Sequence, residues 1–253
     1  MIRHFTSHLS EILEHHEGYR GRRLVTFLAG AEGYAHGIHL VLPSGTKILS
    51  HWHEDREAIF YCMRGHGYYF LDGEAREVFA GDVMFIPLMA VHGVAGGDAD
   101  LEILDFALFS DTRSTAAAED CFAHALDRGV ETTPFGVRRT FFPPEIYGNP
   151  AIKWVGVYEL RTGEALGIRD VPIGTEQLII VQEGYGTLQY LGSRLELRPG
   201  SIAYLIAGVD FVIRPLSGQN LVLVGTSSVP GRYPEPQLFK TLKKTYAFKG
   251  DTA

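Results

Sequence analysis

Short apolar stretches recur along the whole chain, each closed by glycine or proline. Ser193-Arg194-Leu195-Glu196-Leu197-Arg198 alternates strictly, the pattern of a strand with one wet face. GIHLVLPSG, EAIFYCMRGHGYYFLDGE and GDVMFIP are rich in β-branched and aromatic residues, as are WVGVYELRTGE, EQLIIVQEGYGTLQYLG and LVLVGTSS further on. Many short strands at regular spacing predict an all-β chain built as a barrel or jelly roll. Two helical pieces interrupt the pattern. Ser7 is placed to cap a short helix with Leu9, Ile12 and Leu13 on one face. Ser114 or Thr115 would cap AAAEDCFAHALDR, closed by Gly129, with Ala118, Phe122 and Leu126 on one stripe. FFPPEIYGNP, with Phe141, Phe142, Ile146 and Tyr147, reads as an ordered crossover, and the tail after Pro230 is more polar and basic.

The pattern occurs twice. Gly65-His66-Gly67 and Gly184-Tyr185-Gly186 lie 119 positions apart, and the same offset carries Gly37 to Gly156, Glu57 to Glu176, Gly73 to Gly192, Glu77 to Glu196 and Gly81 to Gly200. Two copies of one unit divide the chain into an N-terminal barrel (1–112), a linker helix and crossover (113–150) and a C-terminal barrel (151–253).

Composition narrows the partners. The 253 residues suffice for two small cores, and 45% hydrophobic with 21% charged residues is ordinary for a globular protein. A net charge of −7 without a basic stripe argues against nucleic acid. No apolar run is long enough to span a bilayer and the N-terminus lacks a signal-peptide core, so a cytoplasmic protein is expected. Two cysteines, Cys62 and Cys121, are too few for a disulfide scaffold.

The chemistry-bearing residues lie in the first copy: Gly45-x5-His51-x-His53-x3-Glu57, then Gly81-x5-Pro87-x4-His92. Residues two apart on a strand share a face, so His51 and His53 would project together, and barrel closure would bring in His92. Three imidazoles and a carboxylate suit one divalent transition metal (Fe, Mn, Ni, Zn, Co or Cu), with coordination positions left open for substrate. His39 is assigned a structural role before a pocket one. At the same offset the second copy has Asp170, Pro172, Glu176 and Phe211, so only the glutamate survives. Phe211 would fill the space of an imidazole, with Ile179, Ile180, Tyr204 and Leu205 around it.

These motifs resemble the two motifs of the cupin superfamily, in order and nearly in spacing, and the resemblance spans about Gly37 to Pro215. It implies two tandem cupin barrels, the first holding the metal on His51, His53, Glu57 and His92. There are two departures. Seven residues separate Glu57 from Gly65 where the family usually has six, which calls for a bulge. Met89 stands where the family usually has glycine.

An open metal in a barrel mouth implies chemistry on a small molecule. The favoured reading is a metal-dependent enzyme on a small polar metabolite, either a dioxygenase (an oxidoreductase) or a non-redox lyase, isomerase or hydrolase. The alternative is a small-molecule binding or sensing cupin. Tyr61 is the candidate catalytic acid or base, with Tyr69, Phe85, Arg64 and Met89 as further pocket candidates. A homodimer is a further possibility that the fold class allows.

Overall fold

The computed structural model describes residues 5–8, 14–16, 19–26, 34–124 and 129–230. It contains two barrels, each made of a seven-stranded sheet facing a four-stranded one. In the first barrel the large sheet runs Phe122–His124, Asp82–Ile86, Arg56–Arg64, Leu101–Phe109, Tyr34–Leu42, Tyr19–Thr26, Glu14–His16, all antiparallel. Its small sheet runs Lys47–His51, His92–Gly96, His66–Leu71, Glu74–Phe79. The second barrel repeats the plan around Glu176–Glu183 and Leu221–Ser228.

The repeat seen in the sequence is a repeat of backbone geometry. Gly65 and Gly184 both have positive φ, +89° and +82°. A Cβ at either would lie 2.0 Å from the carbonyl of Asp100 or 1.9 Å from that of Asn220. Only glycine fits a left-handed turn pressed against a neighbouring strand.

The barrels trade strands. Phe5–His8 pairs with Ser201–Leu205 of the second barrel, and Phe122–His124 with Asp82–Ile86 of the first. The second segment was expected to be helical, and the first only to end in the cap of a helix. Ser7 lies in the first of these strands, and Leu9, Ile12 and Leu13 fall outside the described residues. The linker helix is reduced to one 3-10 turn, Ala118–Cys121, before the chain extends into its strand; Leu126 is not among the described residues. An edge strand of the barrel offers a row of backbone partners, and that pairing outweighs the local helical preference of this alanine-rich run.

The large sheets also pack against each other. Leu178, Ile180, Ile202, Tyr204 and Val224 of the second barrel belong to the same core as Ile59, Tyr61 and Phe106 of the first. A separate core inside the second barrel holds Ile179, Leu205 and Phe211. The five residues expected in one core, Ile179, Ile180, Tyr204, Leu205 and Phe211, are thus divided by strand parity between the barrel interior and the interface. Tyr204 donates to Glu176, and Tyr34 bonds Thr226 across the interface. Among the described residues no helix is long and apolar enough to cross a membrane.

Candidate metal centre

His51 ends the strand Lys47–His51 and lies directly opposite His92, the first residue of His92–Gly96. His53 lies just beyond the end of that strand, where its carbonyl accepts the Met89 N–H at 2.9 Å. Met89 adopts the left-handed conformation, φ 65°, that glycine would take without strain. The turn thus survives the substitution, and it ties the loop before His92 to the segment carrying His53.

The three rings converge. Their centroids are 5.0 Å (His51–His53), 4.4 Å (His51–His92) and 4.8 Å (His53–His92) apart, and one nitrogen from each falls within 4.8 Å of the others. Backbone carbonyls set two of the tautomers. Nδ1 of His51 faces the Leu49 carbonyl at 2.9 Å, and Nδ1 of His92 faces that of Ala90 at 3.0 Å. Each Nδ1 is then the donor, leaving the Nε2 lone pair for another partner. His92 Nε2 is buried and has no hydrogen-bond partner. Burial pushes the His92 pKa down to about 4, and the neighbouring His51 adds to the effect. The ring is therefore neutral at physiological pH, the form that ligates metal.

Glu57 is not part of this group. Its Oε1 accepts the Gly148 N–H at 2.9 Å and its Oε2 the Asn149 N–H at 3.0 Å. The residues on either side of it, Arg56 and Ala58, share a sheet face with Phe60, whose ring lies 6.0 Å from that of His92. Glu57, Ile59 and Tyr61 take the opposite face, toward the crossover and the second barrel. Burial raises the Glu57 pKa to about 7 against the lowering effect of the backbone N–H donors. In the second copy Glu176 shares the sheet face of Leu178 and Ile180 that packs on the first barrel, but its partners are side-chain hydroxyls. Glu176 is buried among Tyr204 and Ser228. A glutamate kept in a copy that has lost every histidine was the sequence signal that this position serves the interface.

Tyr61 also faces outward. Its hydroxyl donates to Gln182 Oε1 at 2.8 Å and its ring stacks on Phe141 at 5.4 Å. It lies outside the histidine pocket, and burial holds its pKa above the ordinary phenol range. The bulge required by the extra residue sits at Met63, where the pairing with Leu101–Phe109 slips by one position. This lies beyond Tyr61, so Glu57 and Tyr61 share a face, the one opposite Phe60. Phe85 packs on Phe142 and Tyr147, Arg64 pairs with Glu102, and Met89 is 44% exposed. Tyr69 alone of these candidates faces inward, with its ring 6.0 Å from Phe60 and its hydroxyl buried without a partner. His39 is buried, with its Nε2 3.7 Å from the Glu102 carboxylate.

Among the described residues the second barrel has no comparable cluster. Asp170 accepts the Gly167 N–H at 2.7 Å within its own turn, and Phe211 is buried in the barrel core. Gln177, equivalent to Ala58, is buried and bonded to Thr175 and Ser227.

A protein-family model described as the cupin domain matches residues 38–107. Uncharacterized protein MJ1618 of Methanocaldococcus jannaschii is 38% identical over 65 residues, which is 25% of this chain and 52% of that protein; the chain thus spans about half the length of this curated relative. Among solved structures, protein Ylba of E. coli superposes with a TM-score of 0.71 at 11% identity, covering 92% of this chain and 93% of that one. Oxalate decarboxylase from Lactobacillus farciminis gives 0.68 at 11% identity, with coverage of 96% and 93%. The Bacillus subtilis oxalate decarboxylase gives 0.68 at 11%, with coverage of 96% and 85%. Identities this low establish a shared fold.

Proposed function

We propose a function from the premise that residues 38–107 form a cupin domain and that the chain folds as two such barrels: it is a metal-dependent enzyme acting on a small polar metabolite at the first barrel. One observation carries the reading. Three imidazoles from separate chain segments converge, two of them with Nδ1 turned to a backbone carbonyl, and one buried Nε2 is without a partner. An unpaired buried acceptor is costly, and a metal ion is the partner that several convergent nitrogens share.

His51, His53 and His92 would hold the ion. Glu57 is withdrawn from the ligand set by its bonds to Gly148 and Asn149. A divalent transition ion would supply Lewis acidity or redox capacity there. Three nitrogen ligands leave at least one coordination position for substrate. The chain's own contribution is to fix two of the imidazole tautomers, to keep His92 neutral and to set the Phe60 ring 6.0 Å from it. On this reading Tyr61, bonded to Gln182 and stacked on Phe141, is an interface residue.

The test is metal analysis of protein purified without added metal, with a His51→Ala, His53→Ala double variant beside it. Stoichiometric metal in the wild type and none in the variant supports the site. Equal metal in both removes it. Fe(II)-dependent oxygen uptake with a screened metabolite would identify a dioxygenase, and turnover without oxygen uptake a lyase, isomerase or hydrolase. A ligand that binds tightly and is recovered unchanged would instead identify a binding or sensing protein.

A further inference from the structure

Arg56 opens the strand Arg56–Arg64 and is 3% exposed. Strand parity turns it to the face of Ala58 and Phe60, the face that looks onto His92. Its Nε and Nη1 are buried with no hydrogen-bond partner. Asp55 Oδ1 lies 3.4 Å from Nε but without hydrogen-bond geometry. A guanidinium cannot shed its proton, so this charge is out of water and under-compensated.

The surrounding charge points the same way. Glu57, one residue on, is spent on Gly148 and Asn149, and Ala58 offers no donor atom. Asp105 supplies one negative charge from the strand paired with Arg56–Arg64, and both it and Arg56 are close enough to act electrostatically on His92. A divalent ion on neutral imidazoles brings two positive charges and Arg56 a third. Asp105 and Asp55, the latter 3.4 Å from Arg56 Nε, offset two of these three charges, and the one that remains is what an anionic ligand neutralises.

We propose that Arg56 anchors a carboxylate of the substrate, so that the first barrel takes small organic acids carrying a second oxygen donor for the metal. Dicarboxylates, 2-oxo acids and 2-hydroxy acids have this form. The inference rests on the metal reading above and names its substrate class. The planar guanidinium fork matches a carboxylate in two parallel hydrogen bonds, which an ammonium cannot reproduce. Arg56 binds and orients the acid; nothing in its position makes it a proton donor to the reacting atoms.

The experiment uses the whole chain loaded with Co(II), whose visible spectrum reports the inner coordination shell. Wild type, Arg56→Gln and Arg56→Lys are titrated with oxalate, a small dicarboxylate, and with imidazole, a neutral metal ligand. Oxalate affinity should fall about tenfold to a hundredfold in Arg56→Gln, while imidazole affinity and cobalt content stay within about twofold of wild type. Arg56→Lys keeps the charge and loses the fork, so it should fall between. If Arg56→Gln does not fold, Arg56→Lys carries the test with an expected loss of about tenfold. Equal oxalate binding in variant and wild type overturns the inference, as does a parallel loss of oxalate and imidazole, which would make Arg56 a support of the metal site. A wild type that binds imidazole but no oxalate overturns it as well. A wild type that takes up no cobalt overturns the metal reading and this inference with it.

Discussion

The carboxylate of Glu57 closes on the backbone of Asn149. Oε2 accepts the Asn149 N–H at 3.0 Å while Oε1 accepts that of Gly148 at 2.9 Å. The Asn149 side chain in turn donates to the Phe109 carbonyl. One ionisable side chain thus joins the first barrel to the crossover that leads into the second. A Cβ on Gly148 would lie 2.3 Å from the Thr112 carbonyl and 2.5 Å from Glu57 Oε1, so the contact leaves room only for glycine.

Glu57→Ala should therefore cost stability and spare the metal. Truncation strands two N–H groups at a buried junction, a loss of about 2–4 kcal/mol. Urea unfolding checks the first part and metal analysis the second. Metal loss from a folded Glu57→Ala protein would return this carboxylate to the ligand set.

The same residue makes stability depend on pH. In the folded chain Glu57 holds its proton up to about pH 7, whereas the unfolded chain releases it near the ordinary value of 4.5. The folded state binds the extra proton, so this group's contribution is full below the lower value and is lost as pH rises through the higher one. Relative to Glu57→Gln, the metal-free wild type should lose up to about 3 kcal/mol between pH 5 and 8. Parallel pH profiles for the two proteins would refute it.

Tyr61 should behave as an interface residue. Tyr61→Phe loses the hydrogen bond to Gln182 and keeps the stacking on Phe141. A loss of about 1 kcal/mol with unchanged metal content is expected, read by denaturant unfolding and metal analysis. A folded variant with intact stability and altered metal uptake would place the phenol in the pocket after all.

Met89 holds a left-handed conformation at φ 65° and donates its N–H to the His53 carbonyl. Met89→Gly removes the Cβ penalty at a position 44% exposed, where little packing is lost. Thermal unfolding of the metal-free protein should show a gain of about 0.5–1 kcal/mol. A decrease would show that the Met89 side chain contributes more than its backbone strain costs.

Several features are legible in the residue order alone. The 119-residue repeat, the glycines at Gly65 and Gly184 and the convergence of His51, His53 and His92 all followed from the order of residues. Glycine spacing reports turns directly, and His-x-His with a distant His reports strands that a closed barrel must bring together. The bulge also followed from counting, since one extra residue between Glu57 and Gly65 had to leave the ladder somewhere, and it does so at Met63.

The missing decision was which face of Arg56–Arg64 looks into the barrel. A strand wet on one side announces its inner face by alternation, as Ser193–Leu197 does. Arg56–Arg64 is buried on both sides for most of its length, because the second barrel covers what would otherwise be its outer face. Its sequence therefore carries no asymmetry to read. The residues themselves determined that three histidines would meet. Only the packing of one barrel on the other decided that Glu57 and Tyr61 point to the interface and that Arg56 stands beside the imidazoles.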